Sequence, residues 1–200
     1  MDERFFHTLF VFVFLGFTLI RVYYQRQAHA GRGRADFKEG RLHVGLRLVF
    51  GLPFILVVLA YMLRPEILGW ARLALPGWAR GLGVLLGLAS LPLIVWVQQA
   101  LGDNFSTVLH VREEHTLVTH GPYRRVRHPM YTVLYVHLLG VFLLTANLLI
   151  GGVFLGALSL IVLTRVSREE AAMEAKFGQA YLDYRQRTGR FLPPLRALVR

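Results

Sequence analysis

The 200-residue chain has no cysteine, only two lysines (Lys38 and Lys176), and 12 acidic residues against 23 basic ones. Without cysteine there are no disulfides, no thiolate metal ligands and no thiol nucleophile, so chemistry falls to His, Arg, Glu, Asp, Tyr or a cofactor. The phosphate-binding glycine loop and the G-x-S-x-G nucleophile turn are also missing. His110, His115, His120 and His128 lack the paired spacing of a zinc site, which argues against a metal. Charge itself is missing over one long stretch, since Tyr131 to Thr164 holds no Asp, Glu, Lys or Arg.

Apolar residues make up 54% of the chain and come in long blocks instead of at amphipathic spacing, the pattern of a membrane protein. In that setting the net charge of +11 is a statement about loops, not about nucleic acid. A span needs about 20 apolar residues. Blocks of that kind run from Phe5 to Tyr24, from Val44 to Leu63 and from Gly81 to Leu101, the last with Pro92 as a predicted kink. Gly83 and Gly87 suit close helix packing. Tyr131 to Thr164 is too long for one span and is expected to fold as a hairpin of two about Asn147 and the Gly151–Gly152 pair. The expectation is therefore an all-α, polytopic integral membrane protein of about five transmembrane helices with a C-terminal helical hairpin and tail. Residues 1–101 would form an N-terminal set of three helices, and residues 102–200 a catalytic region.

Five spans put the chain ends on opposite sides. One side would hold the N-terminus, the Arg64 to Arg80 loop and the hairpin tip, with 1, 3 and 0 basic residues. The other would hold the Arg21 to Arg47 segment, the Gly102 to Pro129 segment and the C-terminal tail, with 7, 4 and 8. Positive charge gathers on the cytosolic side, which predicts a cytosolic C-terminus and an N-terminus across the bilayer.

Two segments on the basic side carry polar residues that spans do not need: Gly102 to Tyr131 and Arg165 to Pro194. In the first, Gly121, Pro122 and Pro129 set a compact loop from which Tyr123, Arg124, Arg125, Arg127 and His128 project. That composition suits a flat anionic ligand or, equally, anionic lipid headgroups. In the second, Arg165 and Glu169 share one helix face four residues apart. Arg165 follows an uncharged span, where an ionised group is costly without a partner or ligand. Glu170 and Glu174 are expected to be solvated. Phe177, Tyr181 and Tyr184 form a stripe suited to stacking or to packing, and His137 and Asn147 are expected to find helix partners inside the membrane.

The ordered set GDNFS, HTLVTHGPYRRVRHPMY, REE, KFGQAYLDY and RFLP resembles the isoprenylcysteine carboxyl methyltransferases and their prokaryotic relatives, over about Gly102 to Pro193. The resemblance implies an S-adenosyl-L-methionine pocket formed by the loop before the last hairpin and by a C-terminal tail folded over it. His120, Gly121, Pro122, Tyr123, His128 and Tyr131 would line that pocket, Glu169 would meet the cofactor's positive end, and Arg165 would face the substrate. The implied acceptor is a prenylated cysteine or another lipid-like molecule entering from the bilayer, with S-adenosyl-L-homocysteine as product and no nucleic acid or metal involved. Met130 stands where the family usually has a small residue. Two other classes fit parts of the pattern: a membrane NADPH-dependent reductase of the sterol or isoprenoid type, and a non-enzymatic protein whose basic loops bind anionic lipid.

Overall fold

A computed structural model describes residues 2–30, 54–102 and 116–194. Residues 103–106 of the GDNFS piece, His110 and His115, and the first half of the Val44 to Leu63 block, residues 44–53, lie outside the described residues. Among the described residues the fold is helical, with only isolated bridges and no strand. Helix α1 runs over Glu3–Ala30, α2 over Phe54–Leu63, α3 over Gly77–Leu101, α4 over Pro129–Thr145, α5 over Phe154–Phe177 and α6 over Gln179–Arg187.

Three helical stretches, Glu3–Gln27, Gly77–Leu101 and Leu148–Phe177, are long and apolar enough to cross a membrane. A fourth is reached if α2 and the short helix Pro65–Ala71, which meet at 115°, count as one broken span. Among the described residues, three to four spans thus meet the test of length and composition, and the expected count of five is not decided by them. Helix α4 falls below that test: its 17 residues reach about 25 Å at 1.5 Å per residue, less than the hydrocarbon thickness of about 30 Å. Helix α3 continues through Pro92 as a single helix.

Helix α4 is the central element, and glycine sets its distance from α3. A Cβ on Gly83 would lie 2.4 Å from the Leu144 backbone nitrogen, and one on Gly140 would lie 2.6 Å from the Gly87 nitrogen. The two backbones therefore touch where side chains would normally separate them. On its other flank Gly87 receives Val13 of α1, so the glycine pair noted in the sequence packs within the chain. The expected polar partnerships also form. His137 Nδ1 lies 3.0 Å from Ser90 Oγ, and its ring stacks on Phe17 at 3.8 Å.

The hairpin between α4 and α5 turns through a wide helical turn, Leu148–Val153. Asn147 caps it by accepting from the Leu149 and Ile150 amides, and donates to the Leu68 carbonyl at 2.9 Å. At the same end of the bundle, Arg80 donates through Nη1 and Nη2 to the two Glu3 carboxylate oxygens at 2.5 and 3.1 Å and through Nε to the Leu144 carbonyl. Its guanidinium also lies over the Phe6 ring. The N-terminus, the Arg64 to Arg80 loop and the hairpin tip thus meet at one end, as the alternating-span reading expected. The Gly121 loop, the C-terminal half of α5 and the tail meet at the other.

The glycine contact makes a direct prediction. Gly140→Ala should lower stability by about 1–3 kcal/mol, because the added methyl meets backbone that cannot rotate away. Gly156→Ala, with nothing within 4 Å of the new methyl, should leave the thermal unfolding of the detergent-solubilised protein unchanged or raise it slightly.

Candidate functional site

Three short pieces of chain build the basic end. The loop Gly121–Arg124 is one turn of 3-10 helix ahead of α4. The C-terminal half of α5 supplies an acidic face. Gly178, at φ +53°, lets the chain leave α5 and start α6 at once, a backbone state that side chains beyond glycine rarely adopt. After α6 the tail returns to the loop and pairs with it. The Gly189 amide donates to the Arg125 carbonyl at 3.0 Å, the Arg127 amide to the Gly189 carbonyl at 2.8 Å, and the His128 amide to the Arg190 carbonyl at 3.0 Å. Thr132 then donates to the Phe191 carbonyl at 2.7 Å.

Glu170 is the junction of this assembly and is not solvated, as the sequence pattern had suggested; it is 5% exposed. Its carboxylate accepts from Arg127 Nε at 3.0 Å and from Arg190 Nη2 at 2.5 Å, and lies 3.2 Å from His128 Nε2. Arg127 further donates to the Arg185 carbonyl at 3.0 Å and to the Thr188 carbonyl, closing the C-terminal end of α6 where carbonyls lack helical partners. Arg127 is therefore a structural cation. Glu174 matches the expectation of an exposed position and pairs with Arg185 at 3.2 Å. The spacing that singled out Arg165 and Glu169 could not separate Glu170 from Glu174; the signal would have been the arginines at 127 and 190, far away in sequence.

Beside this junction lies a second carboxylate with a different environment. Glu169 accepts from Tyr131 Oη at 3.0 Å and from Arg165 Nε at 2.6 Å, and its other oxygen is 3.7 Å from His128 Nδ1. Unlike Glu170, it remains partly accessible. The structure thus brings together four of the expected site residues, His128, Tyr131, Arg165 and Glu169, from two helices and a loop. The others are placed differently. Tyr123 is buried against Phe17, Ile94 and Val133, and its carbonyl accepts from Tyr184 Oη at 2.7 Å. Gly121 and Pro122 line a cavity on the α3 side of α4, and His120 is exposed just ahead of them. Tyr181 and Tyr184 are buried, so that stripe packs. Among the described residues no cluster of three or more His, Asp or Glu could hold a metal.

The electrostatics follow from these pairings. Burial raises the Tyr123 hydroxyl above its ordinary value and pushes Tyr181 up to about 12, so both phenols stay protonated. Arg190 is held above its ordinary value chiefly by its hydrogen bonds to Glu170. His128 sits between two carboxylates, yet burial pulls its pKa below the ordinary 6.5. The carboxylates pull it upward, but Glu170 already faces two guanidinium groups and Glu169 one, so little net negative field reaches the imidazole and desolvation decides.

Comparison with known proteins places the cluster in a wider setting. The model of the isoprenylcysteine carboxyl methyltransferase (ICMT) family matches residues 83–175, a range that includes the whole His128, Tyr131, Arg165 and Glu169 cluster. The protein-S-isoprenylcysteine O-methyltransferase of Rattus norvegicus is 29% identical over 126 residues, covering 62% of this chain and 44% of that protein. Its counterpart in Tribolium castaneum is 32% identical over 94 residues, or 46% of this chain and 34% of the relative. The cobalt-zinc-cadmium resistance protein CzcN of Cupriavidus metallidurans is 32% identical over 84 residues, 42% of this chain and 38% of that one. The chain thus spans less than half the length of these curated relatives. A solved structure of the eukaryotic intramembrane Ras methyltransferase ICMT matches with a TM-score of 0.58 at 19% identity, covering 92% of this chain and 67% of that one. At that identity the match establishes a shared fold.

Two predictions follow from the paired carboxylates. Glu170→Ala leaves Arg127 buried without its counter-charge, a change that costs about 3–5 kcal/mol in comparable pairs; limited trypsinolysis should then cleave at Arg185, Arg187 and Arg190 markedly faster than in the unmodified protein. His128 binds its proton less tightly folded than unfolded, so the stability it contributes is fully present above pH 6.5 and is lost as pH falls towards the folded value. The unfolding temperature should therefore drop more between pH 7 and pH 5 in the unmodified protein than in His128→Gln.

Proposed function

We propose that this chain, whose residues 83–175 match the model of the isoprenylcysteine carboxyl methyltransferase family, is an integral membrane enzyme that uses S-adenosyl-L-methionine to methylate the carboxylate of a prenylated cysteine or a similar lipid-like acceptor. The observation that carries this reading is the placement of Glu169: a partly accessible carboxylate, fixed by Tyr131 and Arg165, at the end of the bundle where the tail closes on the loop.

The donor set fits the proposed cofactor. A sulfonium is a cation with an apolar surround, and Glu169 is the one carboxylate of the pair left reachable, since Glu170 is consumed by Arg127, Arg190 and His128. When bound, S-adenosyl-L-methionine would supply a methyl group on a good leaving group and depart as S-adenosyl-L-homocysteine. Glu169, Tyr131 and His128 would hold its charged end, with His120, Gly121, Pro122 and Tyr123 shaping the loop around the approach. Arg165 lies at the same point and would orient an acceptor carboxylate, because a guanidinium matches a carboxylate in a two-pronged contact. Such an acceptor is already a nucleophile, so the residues need only position it and exclude water. An amine acceptor would have to lose a proton, and the neutral His128 imidazole is the base within reach.

We place this end of the bundle on the cytosolic side. Most of the basic residues belong to segments assigned to it, and a water-soluble cofactor and a bilayer-borne acceptor can meet only at an interface.

Calorimetric titration of the detergent-purified protein tests the reading. S-adenosyl-L-methionine and S-adenosyl-L-homocysteine should both bind. Glu169→Gln should weaken the first about tenfold, the scale of one charge-assisted contact, and the second much less, because the product has lost the positive charge. Binding of NADPH with no response to either sulfur compound would replace this reading with a reductase.

A further inference from the structure

The cavity that Gly121 and Pro122 line is separate from the Glu169 cluster. It is an open-sided groove of about 470 Å³, walled by Leu93 and Trp96 of α3 and by Val133 and Val136 of α4. Glu169, Arg165 and Tyr131 are not part of it; Tyr131 packs with α5 on another face of α4. From Pro129 to Val136 the groove follows α4 for about 10 Å at 1.5 Å per residue, directed from the basic end towards the middle of the bundle.

Its two ends differ in chemistry. The deep wall is apolar, while Arg124 and Arg125 stand exposed on its rim. Among the described residues, neither arginine has an acidic partner. Trp96 is 51% exposed on the same wall, one turn from the end of α3, where an amphipathic ring prefers the level of lipid headgroups. A cationic rim, an interfacial tryptophan and an apolar trough running into the bilayer are complementary to a molecule with an anionic head and a long hydrocarbon tail.

We propose that this groove binds an anionic phospholipid of the surrounding bilayer, with one acyl chain between α3 and α4 and its phosphate held by Arg124 and Arg125. A soluble phosphate would leave the apolar trough unused, and a neutral lipid would leave the arginines unused. The bound lipid would brace the loop from the side opposite the Glu170 junction. None of its rim or wall residues belongs to the Glu169 cluster, and the Gly121–Pro122 turn is what it shares with the proposed cofactor approach.

Native mass spectrometry of the full chain, extracted from vesicles of equal phosphatidylglycerol and phosphatidylcholine, tests it. Phosphatidylglycerol should be retained over phosphatidylcholine by about thirtyfold, the scale of two interfacial arginine contacts. The double variant Arg124→Gln, Arg125→Gln should bring the two lipids to parity. Val136→Trp, which fills the trough, should remove both, with cooperative thermal unfolding of each detergent-solubilised variant serving as the control for folding. Parity in the unmodified protein, or a preference that survives in the double variant, overturns the proposal. So does displacement of phosphatidylglycerol by an S-prenylated N-acetylcysteine, which would make the groove an acceptor site. Failure of the unmodified protein to bind S-adenosyl-L-homocysteine would defeat the methyltransferase reading and leave the lipid result standing.

Discussion

An ionised carboxylate removed from water must be met by positive charge and hydrogen-bond donors, and around Glu170 that requirement organises the whole basic end of the bundle. Arg127 reaches it from the loop and Arg190 from the tail, while His128 approaches from the start of α4. The consecutive residues Arg127 and His128 and the distant Arg190 come from two pieces of chain, so satisfying one buried charge fixes the loop and the tail against α5. Arg127 then closes the carbonyl end of α6, and the tail backbone pairs with the loop backbone. The geometry of the neighbouring Glu169 depends on this frame, because His128 and Tyr131 flank both the loop and the carboxylate.

Adjacent positions on α5 thereby take opposite roles. Glu169 and Glu170 are consecutive, so they point about 100° apart around the helix at 3.6 residues per turn. One faces inward, where its charge is spent on structure. The other keeps a share of solvent and a single guanidinium partner, leaving a negative charge that a cationic ligand can use.

Helix α4 makes a second separation. Its contact with α3 is backbone to backbone at Gly83, Gly87 and Gly140, which brings α3 and α4 together midway along their length. Towards the basic end the same two helices leave the groove between Trp96 and Val136, while the Tyr131 face turns to α5. A loop only a few residues long can therefore present Gly121, Pro122 and two arginines to one side and His128 to the other.

The sequence by itself determined the broad class: apolar blocks of span length, with basic residues gathered in alternate segments, point to a helical membrane protein, and the polar clusters at 120–131 and 165–169 supply the residues that meet at its basic end. The Arg165 and Glu169 pairing was legible because helical periodicity makes four-residue spacing a contact. Only the tertiary structure decided what non-local contacts decide. Glu170 and Glu174 look alike in a linear pattern, and their fates diverge because arginines 43 and 20 residues from Glu170 reach only the first. The length of α4 and the bend after α2 were likewise invisible, since hydropathy measures how apolar a segment is and not where its backbone turns. Gly121 and Pro122 parted from His128 for the same reason: neighbours in sequence share a loop, but the helices packed around that loop choose which side each residue faces.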